Sequence, residues 1–111
     1  MAIFKLLDAS PFIDSYKLLE YKVIDSGLYY KIVIFLHNGT TLHAREYCSN
    51  KERTYSFHWQ DQKGNLIARW DNSPHHDQLL TFPHHKHHND CIEESREISL
   101  EDVLLFIQAK L

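Results

Sequence analysis

The sequence predicts an α+β domain: a twisted antiparallel sheet of about five strands with a C-terminal helix packed on it. Three observations carry this expectation. Residues 28–36, Leu-Tyr-Tyr-Lys-Ile-Val-Ile-Phe-Leu, form a β-branched and aromatic run, too short for a surface helix. Asn38-Gly39 comes just after it, and that pair favours a tight hairpin because both residues tolerate positive φ. Near the end, Ser99 and Asp102 have the spacing of a capping box, and Leu100, Val103, Leu104, Ile107 and Leu111 follow at helical intervals.

In chain order, residues 2–8 are a short apolar segment of undetermined type, and Pro11 with Asp14-Ser15 marks a loop. Residues 16–24 mix apolar and charged positions as an edge strand does, and Asp25-Ser26-Gly27 turns the chain. The run 28–36 reads as a central strand, apolar on both faces, paired with 40–47. A two-residue loop at Asn38-Gly39 would set His37 opposite Thr40, pairing Phe35 with Leu42 and Val33 with Ala44 on one face, and Ile34 with His43 and Ile32 with Arg45 on the other.

Residues 53–60 and 66–72 read as a second hairpin around Asp61-Gln62-Lys63-Gly64. A four-residue loop would pair Trp59 with Leu66, Phe57 with Ala68 and Tyr55 with Trp70 on an apolar face. The other face would hold Ser56 with Arg69, His58 with Ile67 and Thr54 with Asp71. Residues 73–88 are expected to be a stiff, non-helical arm lying along or across the sheet, because Pro74 and Pro83 restrict their neighbours. Residues 89–98 read as an acidic linker. The helix is expected over 99–110, with Leu105 and Phe106 widening its buried stripe.

The 111 residues fit one domain, 1–111. The net charge of −3 excludes the basic stripe of a dedicated DNA binder, and protonating the nine histidines would reverse its sign. No apolar run approaches the roughly 20 residues of a membrane span, and the start lacks the pattern of a secretory signal. Cys48 and Cys91 lack metal or redox spacing and fit reduced cytosolic thiols, so the expected location is the cytoplasm.

Chemistry concentrates in 69–88, where six of the nine histidines lie between His75 and His88. Imidazole gives and takes protons near neutrality and is the commonest metal ligand. Metal-independent RNA cleavage needs a base for the 2′-hydroxyl, an acid for the leaving 5′-oxygen and a cation for the phosphate. Candidates are His58, His76, His85 and His87 as acid or base, Arg69 and Lys86 as cations, and Asp71 to orient a histidine. Against this stands a plain ion pair between Arg69 and Asp71. A second reading is a site for Zn²⁺ or another transition metal at His75, His85 and His87, with His76 or Asp71 able to complete the shell. A third is a non-catalytic module that binds RNA or protein. Trp59, Trp70, Tyr55 and Phe57 could stack bases, but their shared face is more simply a core. His43 and His37 read as ordinary hairpin residues, and Arg45 and Tyr47 share a face with His43.

Tyr55-Ser56-Phe57-His58-Trp59-Gln60, Arg69-Trp70-Asp71-Asn72-Ser73-Pro74-His75-His76, Thr81-Phe82-Pro83-His84-His85-Lys86-His87 and the 95–103 segment together resemble the TumE family of small bacterial and archaeal proteins. The similarity runs from about residue 16 to the end. It implies the toxin of a two-gene toxin–antitoxin locus, with a cognate antitoxin encoded nearby. With the histidine chemistry above, the expected function is a toxin that acts on RNA by histidine acid–base cleavage, against a metal-binding hydrolase or a non-catalytic binding module as alternatives, and a homo-oligomer is compatible with each.

Overall fold

The chain builds a seven-stranded antiparallel meander, and alternation of apolar and polar side chains forms its central strands. The computed structural model describes residues 2–88 and 90–111. After helix α1 (Ala2–Ala9) come β1 (Ile13–Ile24), β2 (Gly27–Leu36), β3 (Thr41–Cys48), β4 (Arg53–Gln60), β5 (Leu66–Asp71), β6 (His85–His88) and β7 (Cys91–Glu94), then helix α2 (Leu100–Gln108). Each strand pairs with the next, so spatial order equals chain order.

The sheet has seven strands rather than about five. The two unexpected strands are four residues long and made largely of histidine, lysine and glutamate. They carry no apolar alternation to read. β6 forms because the outer edge of β5 offers unpaired backbone groups, and β7 then pairs with β6. The arm therefore ends as a strand, after turns and no helix over 73–84. Most of the supposed linker is β7 and its flanks; Asn89 lies outside the described residues. Residues 2–8 fall in α1. Asp14-Ser15, expected as a loop, lies in β1, where a bulge between Ile13 and Ser15 leaves Asp14 unpaired in the ladder.

Turn chemistry shifts both expected registers. Leu36 N–H donates to Thr40 C=O and Gly39 N–H to Leu36 C=O, at 3.0 Å each, so the first hairpin closes on three residues with Gly39 at φ 84°. Ile34 then faces Leu42 and Ile32 faces Ala44, not Phe35 with Leu42. One residue of slip exchanges the faces. Ile32, Ile34, Leu36, Leu42 and Ala44 are buried, while Phe35 is 41 % exposed, so β2 is apolar-buried on one face only. The second hairpin also closes on three residues, Asp61 to Asn65, with Gly64 at φ 86°. A bulge beyond Trp59 places Trp59 opposite Ala68, Phe57 opposite Trp70 and His58 opposite Arg69. This is two residues from the expected pairing, so Tyr55, Phe57, Trp59, Ala68 and Trp70 keep the core face, while the bulge moves Ile67 against the core instead of opposite His58 and leaves Leu66 39 % exposed.

The core lies on one side of the sheet. Tyr55, Phe57, Trp59, Ala68 and Trp70 meet Leu100, Val103, Leu104 and Ile107 of α2 and Leu7 of α1 there. α2 starts on the expected capping box: Ser99 Oγ accepts from Asp102 N–H, and Ser99 N–H donates to the Asp102 carboxylate, both at 3.1 Å. Its buried stripe is narrower than expected, since Leu105 is 58 % and Leu111 49 % exposed. No described helix is long and apolar enough to cross a membrane.

Candidate functional site

The face opposite the helices has two polar rows running across the strands. The first is His43 on β3, His58 on β4, Arg69 on β5 and His87 on β6. The second is Arg45, Ser56, Asp71 and His85 on the same strands. Directly opposite residues have Cβ atoms about 5 Å apart, so each row is a line of touching side chains. Period-2 alternation explains why Arg69 and Asp71, and His85 and His87, share this face.

Asp71 is the hub. It is 3 % exposed. Oδ1 accepts from Ser73 N–H at 3.0 Å and lies 2.8 Å from His85 Nε2. Oδ2 accepts from Arg69 Nε at 3.2 Å and faces His87 Nε2 at 3.4 Å. A buried carboxylate is costly unless its oxygens are filled, and here both are. His85 is also buried, and its Nδ1 lies 3.0 Å from Pro83 C=O. A carbonyl only accepts, so Nδ1 carries a proton and Nε2 points at the carboxylate.

Arg69 joins the rows, because its Nη1 lies 3.3 Å from His58 Nδ1. Guanidinium only donates, so His58 accepts at Nδ1 and carries its proton on Nε2. Burial, then the Arg69 and His43 charges, hold His58 below the ordinary histidine value. Burial and then Lys31 do the same to His43. Burial also lowers His87, against the opposing pull of Asp71. These rings are neutral at and above neutral pH, the form that can take a proton. Beside them is a depression of about 320 Å³ lined by Lys31, His43, Arg45, His58, Gln60 and Arg69, among others, with no carboxylate in its lining. Three cations around an open depression suit an anion.

His76 approaches from the irregular segment 73–84. Its ring centroid is 4.7 Å from that of His85 and 5.8 Å from that of His87, and the His85 and His87 centroids are 4.9 Å apart. The structure thus gathers His58, Arg69, Asp71, His76, His85 and His87. It does not bring in Lys86, whose position between His85 and His87 turns it to the helix side, 4.2 Å from the Phe106 ring centroid. Burial lowers that ammonium's pKa. His75 is exposed and is not part of the three-ring cluster. Tyr55, Phe57, Trp59 and Trp70 are core and offer no open face for a base. His43, Arg45 and Lys31 are site residues that the sequence reading left aside. The signal for them was strand parity, legible only with the three-residue turn at Gly39.

A family model described as Toxin TumE matches residues 3–111. No curated protein and no solved structure matches the chain.

Proposed function

The chain belongs to the TumE toxin family, and from that premise we propose that it cleaves RNA on the open face of its sheet. A toxin of this kind has a cognate antitoxin as partner, and the proposed location is the cytoplasm, where RNA is available. The observation that carries the reading is the row His43–His58–Arg69–His87, set beside a cation-lined depression and backed by buried Asp71.

The phosphodiester sits against Arg69, with Arg45 and Lys31 at the rim, which stabilises the charge that builds on phosphorus-bound oxygen. His58, kept neutral, takes the 2′-hydroxyl proton on Nδ1 once the Arg69 guanidinium turns from that nitrogen to the phosphate, and the freed oxygen attacks phosphorus. The leaving 5′-oxygen takes its proton from water at the open edge of the group centred on Asp71, beside His87, whose side chain is 27 % open. His85 is too buried to touch substrate; it positions Asp71 and, through it, Arg69 and His87.

The test incubates purified chain with RNA, with and without chelator, beside Arg69→Ala. Wild type should cleave, and Arg69→Ala should lose about 10²–10³ in rate, the usual worth of an oxyanion-stabilising donor. Wild type that binds antitoxin but leaves RNA intact would favour a purely binding module.

A further inference from the structure

We infer that Asp71, His76, His85 and His87 form a binding site for one transition-metal ion of the zinc class. The inference rests on the geometry of this cluster and goes beyond the RNA reading, because the ion can be detected without any substrate. One ligand nitrogen from each of His76, His85 and His87 lies within 4.8 Å of the others. The Asp71 carboxylate reaches two of those rings, at 2.8 Å to His85 Nε2 and 3.4 Å to His87 Nε2. Ligand atoms held about 2.0–2.2 Å from a tetrahedral ion are roughly 3.3–3.5 Å from one another, and the 3.4 Å between Asp71 Oδ2 and His87 Nε2 already matches one edge of such a shell. Three imidazoles and one carboxylate are donors that zinc and its neighbours accept.

The surroundings are those a metal site needs. His85 donates Nδ1–H to Pro83 C=O, which fixes the ring and leaves Nε2 for the ion. Ser73 N–H and Arg69 Nε hold the carboxylate from behind. The ring planes meet at 73–75°, so the three rings crowd together without stacking. The His76 ring makes no hydrogen bond to protein among the described residues, although the turn after Pro74 carries it over the other two rings. A hydrogen-bonded histidine cluster would give that ring a partner; a metal shell gives it a role. The half-exposed edge at His76 and His87 provides the way in.

The choice of His76 over His75 makes the inference sharp, since the two are adjacent in sequence and only one joins the cluster. The experiment uses the full chain, stripped with chelator, dialysed and titrated with Zn²⁺ alone and with Co²⁺ alone. The expected result is one ion per chain and an intense visible Co²⁺ spectrum of a four-coordinate site. His76→Ala should weaken binding at least tenfold and remove that spectrum, at an unchanged far-ultraviolet circular dichroism. His75→Ala should leave both as in wild type. Co²⁺ spectra of octahedral type, or equal loss in His75→Ala and His76→Ala, would overturn the site in favour of loose chelation by a histidine-rich segment. No saturable binding would overturn it as well. RNA cleavage that resists chelator would contradict only a catalytic use of the ion, whereas absence of cleavage with a formed Co²⁺ site would contradict only the RNA reading.

Discussion

At the scale of single residues, the site depends on imidazoles that the fold keeps uncharged. His43 and His58 are both lowered, chiefly by burial. In the unfolded chain they recover the ordinary value of about 6.5, so on acidification the unfolded state binds protons first. The stability these rings contribute is full above about pH 6.5 and is lost as pH falls through their folded values. Denaturant titrations at pH 7.5 and at stepwise lower pH should show this decline, and His43→Gln with His58→Gln should flatten it. An unchanged acid slope in the double variant would contradict the assignment. Much of this was legible beforehand. Arg69 and Asp71 are two apart in a strand, and His85 and His87 are two apart, so each pair had to share a face. His43 was not legible, because its place depends on a turn, and the exclusion of Lys86 follows only once residues 85–88 are known to be a strand.

At the scale of elements, two glycines decide where side chains stand. The hairpins were readable as hairpins, and so was the apolar face of β4 and β5. The registers were not, because Asn38-Gly39 suits a two-residue loop as well as a three-residue loop with Gly39 left-handed. At φ 84° a β-carbon is strained, and at Gly39 it would also fall 1.9 Å from Gln62 Nε2. Gly39→Ala should therefore destabilise the chain by about 1 kcal/mol or more, read as a lower denaturation midpoint. A neutral result would mean that the turn relaxes to another geometry. β6 and β7 escaped notice for a different reason: their stability lies in backbone pairing along the β5 edge and in the Asp71–His85 contact, neither of which leaves a hydrophobic pattern.

At the scale of the whole molecule, the sheet separates two duties. One face is closed by α1 and α2 around Phe57, Trp70 and Ile107 and holds the fold together. The other is left open and carries the cations and imidazoles. This division means that histidines of the same segment should answer differently to substitution. His84 stacks on Tyr55, and its Nδ1 lies 2.8 Å from the tyrosine hydroxyl, whose pKa burial pushes up to about 12. That is a structural contact beside the core. His58 faces the depression and leaves the core untouched. The most direct measurement is therefore RNA cleavage per folded molecule for His58→Ala and His84→Ala, taken with their melting curves. The account predicts that His58→Ala keeps its melting temperature within a few degrees and loses about 10²–10⁴ in rate, while His84→Ala melts earlier and cleaves at the wild-type rate per folded molecule. A well-folded His58→Ala chain that cleaves RNA like wild type would contradict it.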